Sequence, residues 1–470
     1  MRRLAFLLAA LLALCATGSA QMTLTGAGPG APSSGGPPPT TYLSAPLMIY
    51  LQPSGNLPSS ATNYSPVIAN GNGVNYSYSS QVAYAIEPVS VAGKFYQLGV
   101  YQPGWTTGSN AFTVYHGTGG GALSSSGVTA TISSASEATD TTNSFTTAAP
   151  AANSCDAIAV QNVASSSPAW TASATMMSLL FTSTVGQEAS IEAFTQGAPG
   201  YFPLGTMYTG YGATNTTEYL VSVVMPVPGT LSTLCTYTQN APGAGNTYVV
   251  TLTHETAGNC AGSPNDTLLS STIANNALYG ATDLTHSEHV AQGDCVALHF
   301  TLTGTASNPN FLSASVKWVP DTNYQYPVFA EGTTMSQTSN GSRSYVATGM
   351  NVAGGVSGTT GETSSLFGLI PPLSTYTGKI ENFYALLSTA PHVSGSESRT
   401  FHMRAGTGTQ SDMATCGGSN CVMTTGTTVS DTTQSTVTPG NYMNMRETNS
   451  GAPAALSPAW FKYSYDWNIQ

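Results

Sequence analysis

Residues 457–467 read Ser-Pro-Ala-Trp-Phe-Lys-Tyr-Ser-Tyr-Asp-Trp. After the proline the apolar side chains recur at every second position, at Phe461, Tyr463, Tyr465 and Trp467. An alternation with a period of two predicts a β-strand that buries one face. A strand of this kind needs a second layer to cover its apolar face, so the stretch predicts a β-sandwich or a β-barrel.

The elements around this stretch occur three times along the chain. Each copy consists of an aspartate turn followed by a proline-aromatic corner: Asp140-x-x-Asn143 before Ser167-Pro168-Ala169-Trp170, Asp283-x-x-His286 before Asn308-Pro309-Asn310-Phe311, and Asp431-x-x-Gln434 before Ser457-Pro458-Ala459-Trp460. The three aspartates lie 143 and 148 residues apart, and solenoid repeats are much shorter. The repeated unit is therefore a whole module.

These patterns predict an all-β protein with three tandem antiparallel β-sandwich modules of the jelly-roll type. We place the modules at residues 45–185, 200–322 and 323–470. The joins, 186–200 and 319–327, lack the long Gly/Ser runs of a flexible tether. We therefore expect neighbouring modules to pack with restricted motion, as a pseudo-threefold cluster within one chain.

The N-terminal segment predicts export. Residues 1–20 combine two arginines, an apolar run and small residues at a cleavage site, as in a secretory signal peptide. Residues 21–44 are rich in proline and glycine and predict a linker. No later run is apolar over the length that a membrane span needs. We therefore expect a secreted protein, extracellular or periplasmic.

The composition excludes several functions. Without Arg2 and Arg3 the chain has 8 Lys and Arg against 21 acidic residues, so its formal charge is 8 − 21 = −13. A chain without a basic stripe is a poor binder of nucleic acid. Only 7% of residues are charged while 41% are hydrophobic, which indicates a folded β-protein with a surface of Ser, Thr, Asn and Gly.

Six cysteines remain after the predicted signal peptide, and an even number in an exported chain favours disulfides. Cys416 and Cys421 flank a glycine-rich loop, so a disulfide is the preferred interpretation and a zinc site is the alternative. Cys155 and Cys295 occupy the same position in two modules, and equivalent strand positions in separate modules rarely touch. We therefore expect both to be buried thiols, which leaves Cys235 to pair with Cys260; the pairing of Cys155 and Cys295 stays open.

The recurring aspartates Asp140, Asp283 and Asp431 are predicted to be structural. Each is followed by Thr or Leu-Thr and has a polar residue three places on, which is typical of a turn in which a short side chain accepts hydrogen bonds from backbone N–H groups. A metal site at His286, His289 and Asp283 is the alternative. The sister modules have Asn143 and Gln434 in place of His286, which argues against it. We predict no cofactor.

Some aromatic residues are not repeated between modules, and these are the candidates for an exposed binding surface. They are Trp105, Tyr76, Tyr78, Tyr208 and Tyr211. The motifs of zinc proteases, α/β-hydrolases, P-loop proteins and dinucleotide-binding proteins do not occur. We therefore expect no catalytic residues and no enzymatic activity.

The third module carries the pattern of a known group. It has a glycine-rich loop with paired cysteines, the motif Asp431-Thr-Thr-Gln-Ser435, a turn at Gly440-Asn441 (Gly293-Asp294 in module two) and a closing Pro-Ala-Trp strand. The pattern resembles Ser/Thr/Gly-rich jelly-roll modules of bacterial secreted surface proteins and phage tail-fibre-like proteins, and distantly C1q/TNF-type heads. The resemblance implies a structural or adhesive role, often in trimers. This chain differs because it has three copies in one polypeptide and no collagen stem.

The leading functional hypothesis is an exported structural or adhesive surface protein without enzymatic activity, with glycans or other surface proteins as partners. A carbohydrate-binding protein that uses Trp105 and the tyrosine-rich loops is the second hypothesis. A polysaccharide-active hydrolase that uses two carboxylates is the third.

Overall fold

The computed structural model describes residues 45–51, 62–65, 86–101, 105–133, 137–165, 169–170, 175–184, 186–195, 198–205, 214–257, 260, 265–333, 343–346, 351–353, 356–358, 377–387, 397–407, 410–417, 420–451 and 460–469. These residues form sheets that are antiparallel except for one short parallel pairing in the third module, and the sheets pair into three sandwiches. The predicted signal peptide, 1–20, and the predicted linker, 21–44, lie outside the described residues.

The first sandwich contains eleven strands. They are β1 (Ala45–Leu51), β2 (Thr62–Ser65), β3 (Glu87–Val89), β4 (Gly93–Tyr101), β5 (Trp105–Thr107), β6 (Asn110–Gly117), β7 (Ser124–Ile132), β8 (Glu137–Thr147), β9 (Asp156–Ala164), β10 (Ala169–Trp170) and β11 (Thr175–Ser183). One sheet has the order β1-β11-β4-β8 and the other β2-β9-β6-β7, with β3 beside β9. Strands β5 and β10 form a separate pair.

The second sandwich contains β12 (Ala189–Thr195), β13 (Gly200–Phe202), β14 (Val223–Val224), β15 (Gly229–Thr238), β16 (Thr247–Glu255), β17 (Asp266–Ala274), β18 (Asp283–Val290), β19 (Cys295–Thr303) and β20 (Leu312–Pro320). A 3-10 turn, Glu218–Leu220, precedes β14. The sheets have the orders β12-β20-β15-β18 and β13-β19-β16-β17, with β14 beside β19.

The third sandwich contains β21 (Gln325–Thr333), β22 (Arg343–Val346), β23 (Asn351–Ala353), β24 (Val356–Gly358), β25 (Gly378–Leu387), β26 (Ser398–Gly406), β27 (Ser411–Asp412), β28 (Val422–Met423), β29 (Thr428–Asp431), β30 (Ser435–Val437), β31 (Tyr442–Ser450) and β32 (Trp460–Ile469). One sheet has the order β23-β21-β32-β25-β29, with β30 also on β25. The other has the order β24-β22-β31-β26-β27, with β28 also on β26.

The three sandwiches share one topology. With the eight main strands of a module numbered in chain order, one sheet runs 1-8-3-6 and the other 2-7-4-5. This is the order of a jelly roll, a double-sheet sandwich built from two Greek keys. The predicted all-β sandwich class is confirmed.

A shared glycine explains why strands 3 and 8 lie in the same register in each module. Strands β4, β15 and β25 begin at Gly93, Gly229 and Gly378. A Cβ on Gly229 would lie 2.4 Å from the Trp318 ring, and one on Gly378 would lie 2.3 Å from the Trp467 ring. Only glycine lets the aromatic ring of strand 8 cover the start of strand 3.

A second shared feature fixes the shape of strand 3. Its fifth residue has a positive φ in every module: 54° at Gln97, 52° at Thr233 and 53° at Asn382. The pairing registers shift at the same places, as at a β-bulge. The first and fifth residues of strand 3 therefore align the modules residue by residue.

The second sandwich begins earlier in the chain than predicted. Strand β12 lies within the segment 186–200 that we expected to be a join, yet it pairs along its whole length with β20. Its apolar residues, such as Ile191 and Ala193, belong to the same core cluster as β20. The second sandwich therefore begins at Ala189. Whether each module forms an independent domain stays a prediction.

Contacts join modules one and two. Cys155, before β9, forms a disulfide with Cys235 in β15. The Ser313 hydroxyl in β20 donates to the Ile86 carbonyl oxygen, before β3, over 2.7 Å. A cluster of Ile86, Ala157, Phe194, Tyr237 and Phe311 fills the space between the two modules.

Modules two and three meet through equivalent residues. The Lys462 Nζ in β32 donates to the Ser222 carbonyl oxygen, before β14, over 2.9 Å. Lys462 precedes Trp467 by five residues, as Ser313 precedes Trp318, and β14 flanks β19 as β3 flanks β9. In both contacts, strand 8 of the later module therefore docks beside strand 7 of the earlier module.

Modules three and one are also in contact. The Tyr442 hydroxyl at the start of β31 donates to the Glu137 carboxylate in β8. The Tyr442 ring lies 5.4 Å from that of Tyr101 in β4. Tyr442 begins strand 7 of its module, which is also where Cys155 contacts the second module. Module one thus contacts module two, module two contacts module three, and module three contacts module one. Each contact joins two different surfaces, and heterologous contacts of this kind can close a ring.

Candidate functional site

The recurring aspartates form turns. Asp140 accepts hydrogen bonds from the backbone N–H groups of Thr142 at 3.0 Å, Asn143 at 3.1 Å and Thr129, on the neighbouring strand, at 2.8 Å. Asp283 and Asp431 make matching contacts, to Ser270, Thr285 and His286 and to Cys416 and Thr433 respectively. These carboxylates tie strand 6 to the segment that precedes it in the chain.

The turn hydrogen bonds lower the pKa values of all three carboxyls. Burial raises the pKa of Asp140, but the hydrogen bonds from Asn143, Thr129 and Thr142 outweigh it and hold the pKa at about 2. The pKa values of Asp283 and Asp431 are lowered in the same way. The aspartates are therefore ionised acceptors and not proton donors at neutral pH.

We expect Asp140→Ala to destabilise the protein by about 2 kcal/mol at pH 7, because it leaves backbone N–H groups without their acceptor. The folded-state pKa is depressed, so this contribution is present above the ordinary pKa and is lost as the pH falls towards 2. The measurement is urea unfolding of both proteins at pH 7 and pH 3, with Asp140→Asn as the uncharged control. Equal stabilities of wild type and Asp140→Ala at pH 7 would contradict the turn role.

The disulfides differ from the sequence prediction in one pairing. The predicted bridge Cys416–Cys421 is confirmed. The predicted bridge Cys235–Cys260 is wrong, because Cys235 pairs with Cys155 and Cys260 pairs with Cys295. The prediction that Cys155 and Cys295 are buried thiols is also wrong, because each lies at the start of strand 7 and forms one of these two bonds. Three disulfides fit an extracellular protein.

The histidines of the second module do not gather into a metal site. His286 Nδ1 lies 2.9 Å from Asp283 Oδ2, and His289 Nε2 lies 2.9 Å from Asp321 Oδ2. His286 and His289 thus face different carboxylates, which argues against the alternative metal site. Within the described part of the chain, one group of potential ligands is close enough for a metal, Cys416, Cys421 and Asp431, and its cysteines are bonded to each other.

His254 lies between two carboxylates. Its Nδ1 lies 2.7 Å from Glu288 Oε1 and its Nε2 lies 2.8 Å from Asp294 Oδ2. Burial lowers the pKa of His254, but these two hydrogen bonds outweigh it and raise the pKa. Module one repeats half of the arrangement, with His116 Nε2 3.2 Å from Asp156 Oδ2. The repetition indicates a structural clamp.

The predicted aromatic platforms are only partly described. Tyr76, Tyr78, Tyr208 and Tyr211 lie outside the described residues. Trp105 lies in β5, where its backbone pairs with that of Trp170. The role of these residues in ligand binding stays a prediction.

A groove lies between modules two and three. Its volume is about 780 Å³. One wall comes from module two and includes Tyr219, Leu220 and Gln292; the other comes from module three and includes Tyr384, Leu386 and the segment 427–430. Its volume lies within the range of about 300–1,000 Å³ that is usual for small-molecule sites.

The groove is lined by uncharged side chains except for Lys462. Burial raises the pKa of Tyr384, and a hydrogen bond with the Gln292 side chain opposes that rise. Lys462 is 3% exposed and donates to the Ser222 carbonyl oxygen. The groove can therefore offer aromatic and aliphatic surface together with amide and hydroxyl groups.

Two buried carboxyls outside the residues that line the groove have raised pKa values. Glu192 in β12 is 1% exposed and lies between Ser190, which contacts Ser90 of module one, and Phe194, which belongs to the cluster between the modules. Burial raises the pKa of Glu192 to about 8. In module three, burial and the neighbouring Glu381 raise the pKa of Asp466 to about 9.

Comparisons with known proteins add no functional assignment. No family model matches the sequence, and no curated protein matches it. Among solved structures, one match is a chain of the cryo-EM atomic structure of Broad Bean Stain Virus, with 10% identity and a TM-score of 0.17; the match covers 64% of this chain and 94% of that chain. A likeness at that TM-score carries no argument. No helix among the described residues has the length and apolar character of a membrane span.

Proposed function

We propose that this protein is an exported structural or adhesive surface protein without enzymatic activity, in which three jelly rolls form a single-chain counterpart of a trimer. The observation that carries the proposal is the repeated contact between successive modules. Ser313 donates to the Ile86 carbonyl in one contact, and Lys462 donates to the Ser222 carbonyl at the equivalent place in the next. Both the modules and the contacts between them are repeated, and we expect a chain of this kind to form a rigid body.

The recurring polar residues support a role other than catalysis. Asp140, Asp283 and Asp431 hold backbone N–H groups, and their lowered pKa values make them poor general acids or bases at neutral pH. A surface with few charges can form hydrogen bonds with little long-range electrostatic steering. Such a surface suits contact with other surfaces at short range.

The test is removal of the protein from the cells that produce it. We expect the loss of surface structure or of attachment to a substratum, restored by reintroducing the wild-type chain. Electron microscopy of the cell surface and counts of attached cells are the measurements. Unchanged surface structure together with unchanged attachment would refute the proposal.

A further inference from the structure

The groove between modules two and three lies at a position that is filled between modules one and two. The alignment from Gly229 and Gly378 places Tyr237 and Leu386 at the same position, eight residues later. A second alignment, from the turn aspartates, places Tyr279 and Thr427 at the same position, four residues before Asp283 and Asp431. Two tyrosines in one contact are therefore replaced by leucine and threonine in the other.

The contact between modules one and two is sealed by these tyrosines. The rings of Tyr237 and Tyr279 lie 4.8 Å apart, and Tyr237 is 2% exposed. A Cβ on Gly120 of module one would lie 3.2 Å from the Tyr279 ring, so this ring packs against the neighbouring module. The Cys155–Cys235 disulfide closes the same contact covalently.

Between modules two and three the same space is open. Leu386 lines the groove together with Thr427, whose side chain is far smaller than the tyrosine at the equivalent place. Tyr384 takes the place of Cys235, and Gly293 lies at the place of Cys155. The Tyr384 hydroxyl lies 3.9 Å from the position that a Cβ on Gly293 would occupy, so the two walls touch here without a covalent link.

We propose that this groove is a binding site for a neutral oligosaccharide. Tyr219 stands on one wall with 41% of its surface exposed, and an exposed ring can stack on the apolar face of a sugar. Gln292, Thr428 and Ser430 supply amide and hydroxyl groups for the sugar hydroxyls. The inference rests on the proposed adhesive function, for which it names a partner.

The charge of the groove favours an uncharged ligand. No carboxylate is among the described residues that line it, and its one cation, Lys462, already donates to the Ser222 carbonyl oxygen. Binding of an anionic chain would need cations directed into the groove. A neutral sugar chain needs the stacking surface and the neutral polar groups that are present.

The experiment uses the whole mature protein on an array of neutral and acidic oligosaccharides, with calorimetry of each hit. Leu386→Tyr/Thr427→Tyr copies the sealed contact into the groove, and Tyr219→Ala removes the stacking ring. Thr425→Tyr, which adds a ring on the same loop outside the groove, is the matched control. We expect neutral glycans to bind wild type and the control equally, to bind Tyr219→Ala about tenfold more weakly, and to be lost from the filled variant.

The thermal midpoint of the filled variant shows that it is folded. Three outcomes would overturn the inference: no neutral glycan bound at millimolar concentration, binding unchanged in the folded filled variant, or binding of acidic glycans or extended peptides alone. The filled variant is also returned to cells that lack the protein. If it restores attachment while the array stays empty, the groove inference fails and the proposed adhesive function stands.

Discussion

Removing the Cys155–Cys235 disulfide with Cys155→Ala/Cys235→Ala should destabilise the protein by about 4 kcal/mol. The bond closes a loop of 80 residues that runs from module one into module two. A cross-link over a long loop removes much conformational freedom from the unfolded chain, and this gain is lost in the variant. We also expect the variant to expose Tyr237, which is 2% exposed beside the disulfide.

The third disulfide provides a control for this experiment. Cys416 and Cys421 are separated by 5 residues, so Cys416→Ala/Cys421→Ala should cost only about 2 kcal/mol. Chemical unfolding of both variants and of wild type, followed by tryptophan fluorescence, gives the two differences. Equal losses from the two double variants would contradict the view that the long loop across the modules is what stabilises the fold.

The sequence predicted the strands and turns well because their causes are local. Alternation at 461–467 predicted the strand β32, and its apolar side chains Tyr463, Tyr465 and Trp467 are buried. The expectation that only this face is buried is wrong, because Lys462, Ser464 and Asp466 on the other face are buried as well. The turn aspartates depend on backbone groups two and three residues away. Local rules of this kind can be applied before the packing of the modules is known.

The disulfide pairing could not be predicted because it depends on which modules touch. Cys155 and Cys295 do not pair with each other, but the conclusion that both are buried thiols was wrong. That conclusion omitted the neighbouring module, where strand 3 brings Cys235 to Cys155. Strand β12 was assigned to a join for a similar reason, because its short apolar pattern gives no sign of its long-range partner β20.

The groove was missed, although part of its signal is in the sequence. Once Gly229 is aligned with Gly378, Tyr237 and Tyr279 are seen to be replaced by Leu386 and Thr427. That alignment needs the covering rings of Trp318 and Trp467 and the positive φ of the fifth residue, which only the structure supplies. A difference between repeats becomes informative after the register is known.

The buried carboxyl of Glu192 should make the protein less stable as the pH rises. Burial raises the pKa of Glu192 from 4.5 to about 8 in the folded state. Between these values the unfolded chain releases a proton that the folded chain keeps, so the stability present below pH 4.5 is lost progressively up to about pH 8. Asp466, with a pKa of about 9, adds a loss of the same sign in module three.

We expect Glu192→Gln to match wild type at pH 4.5 and to exceed it by about 3 kcal/mol at pH 8, because the amide keeps the shape of the carboxyl and has no proton to lose. The measurement is urea unfolding at pH 4.5, 6, 7 and 8. Glu188→Gln is the control, because Glu188 is 17% exposed and pairs with Lys317. The difference in stability grows with pH only if the folded carboxyl stays protonated while that of the unfolded chain ionises. A difference between wild type and Glu192→Gln that stays constant from pH 4.5 to 8 would therefore show that Glu192 is ionised within the contact.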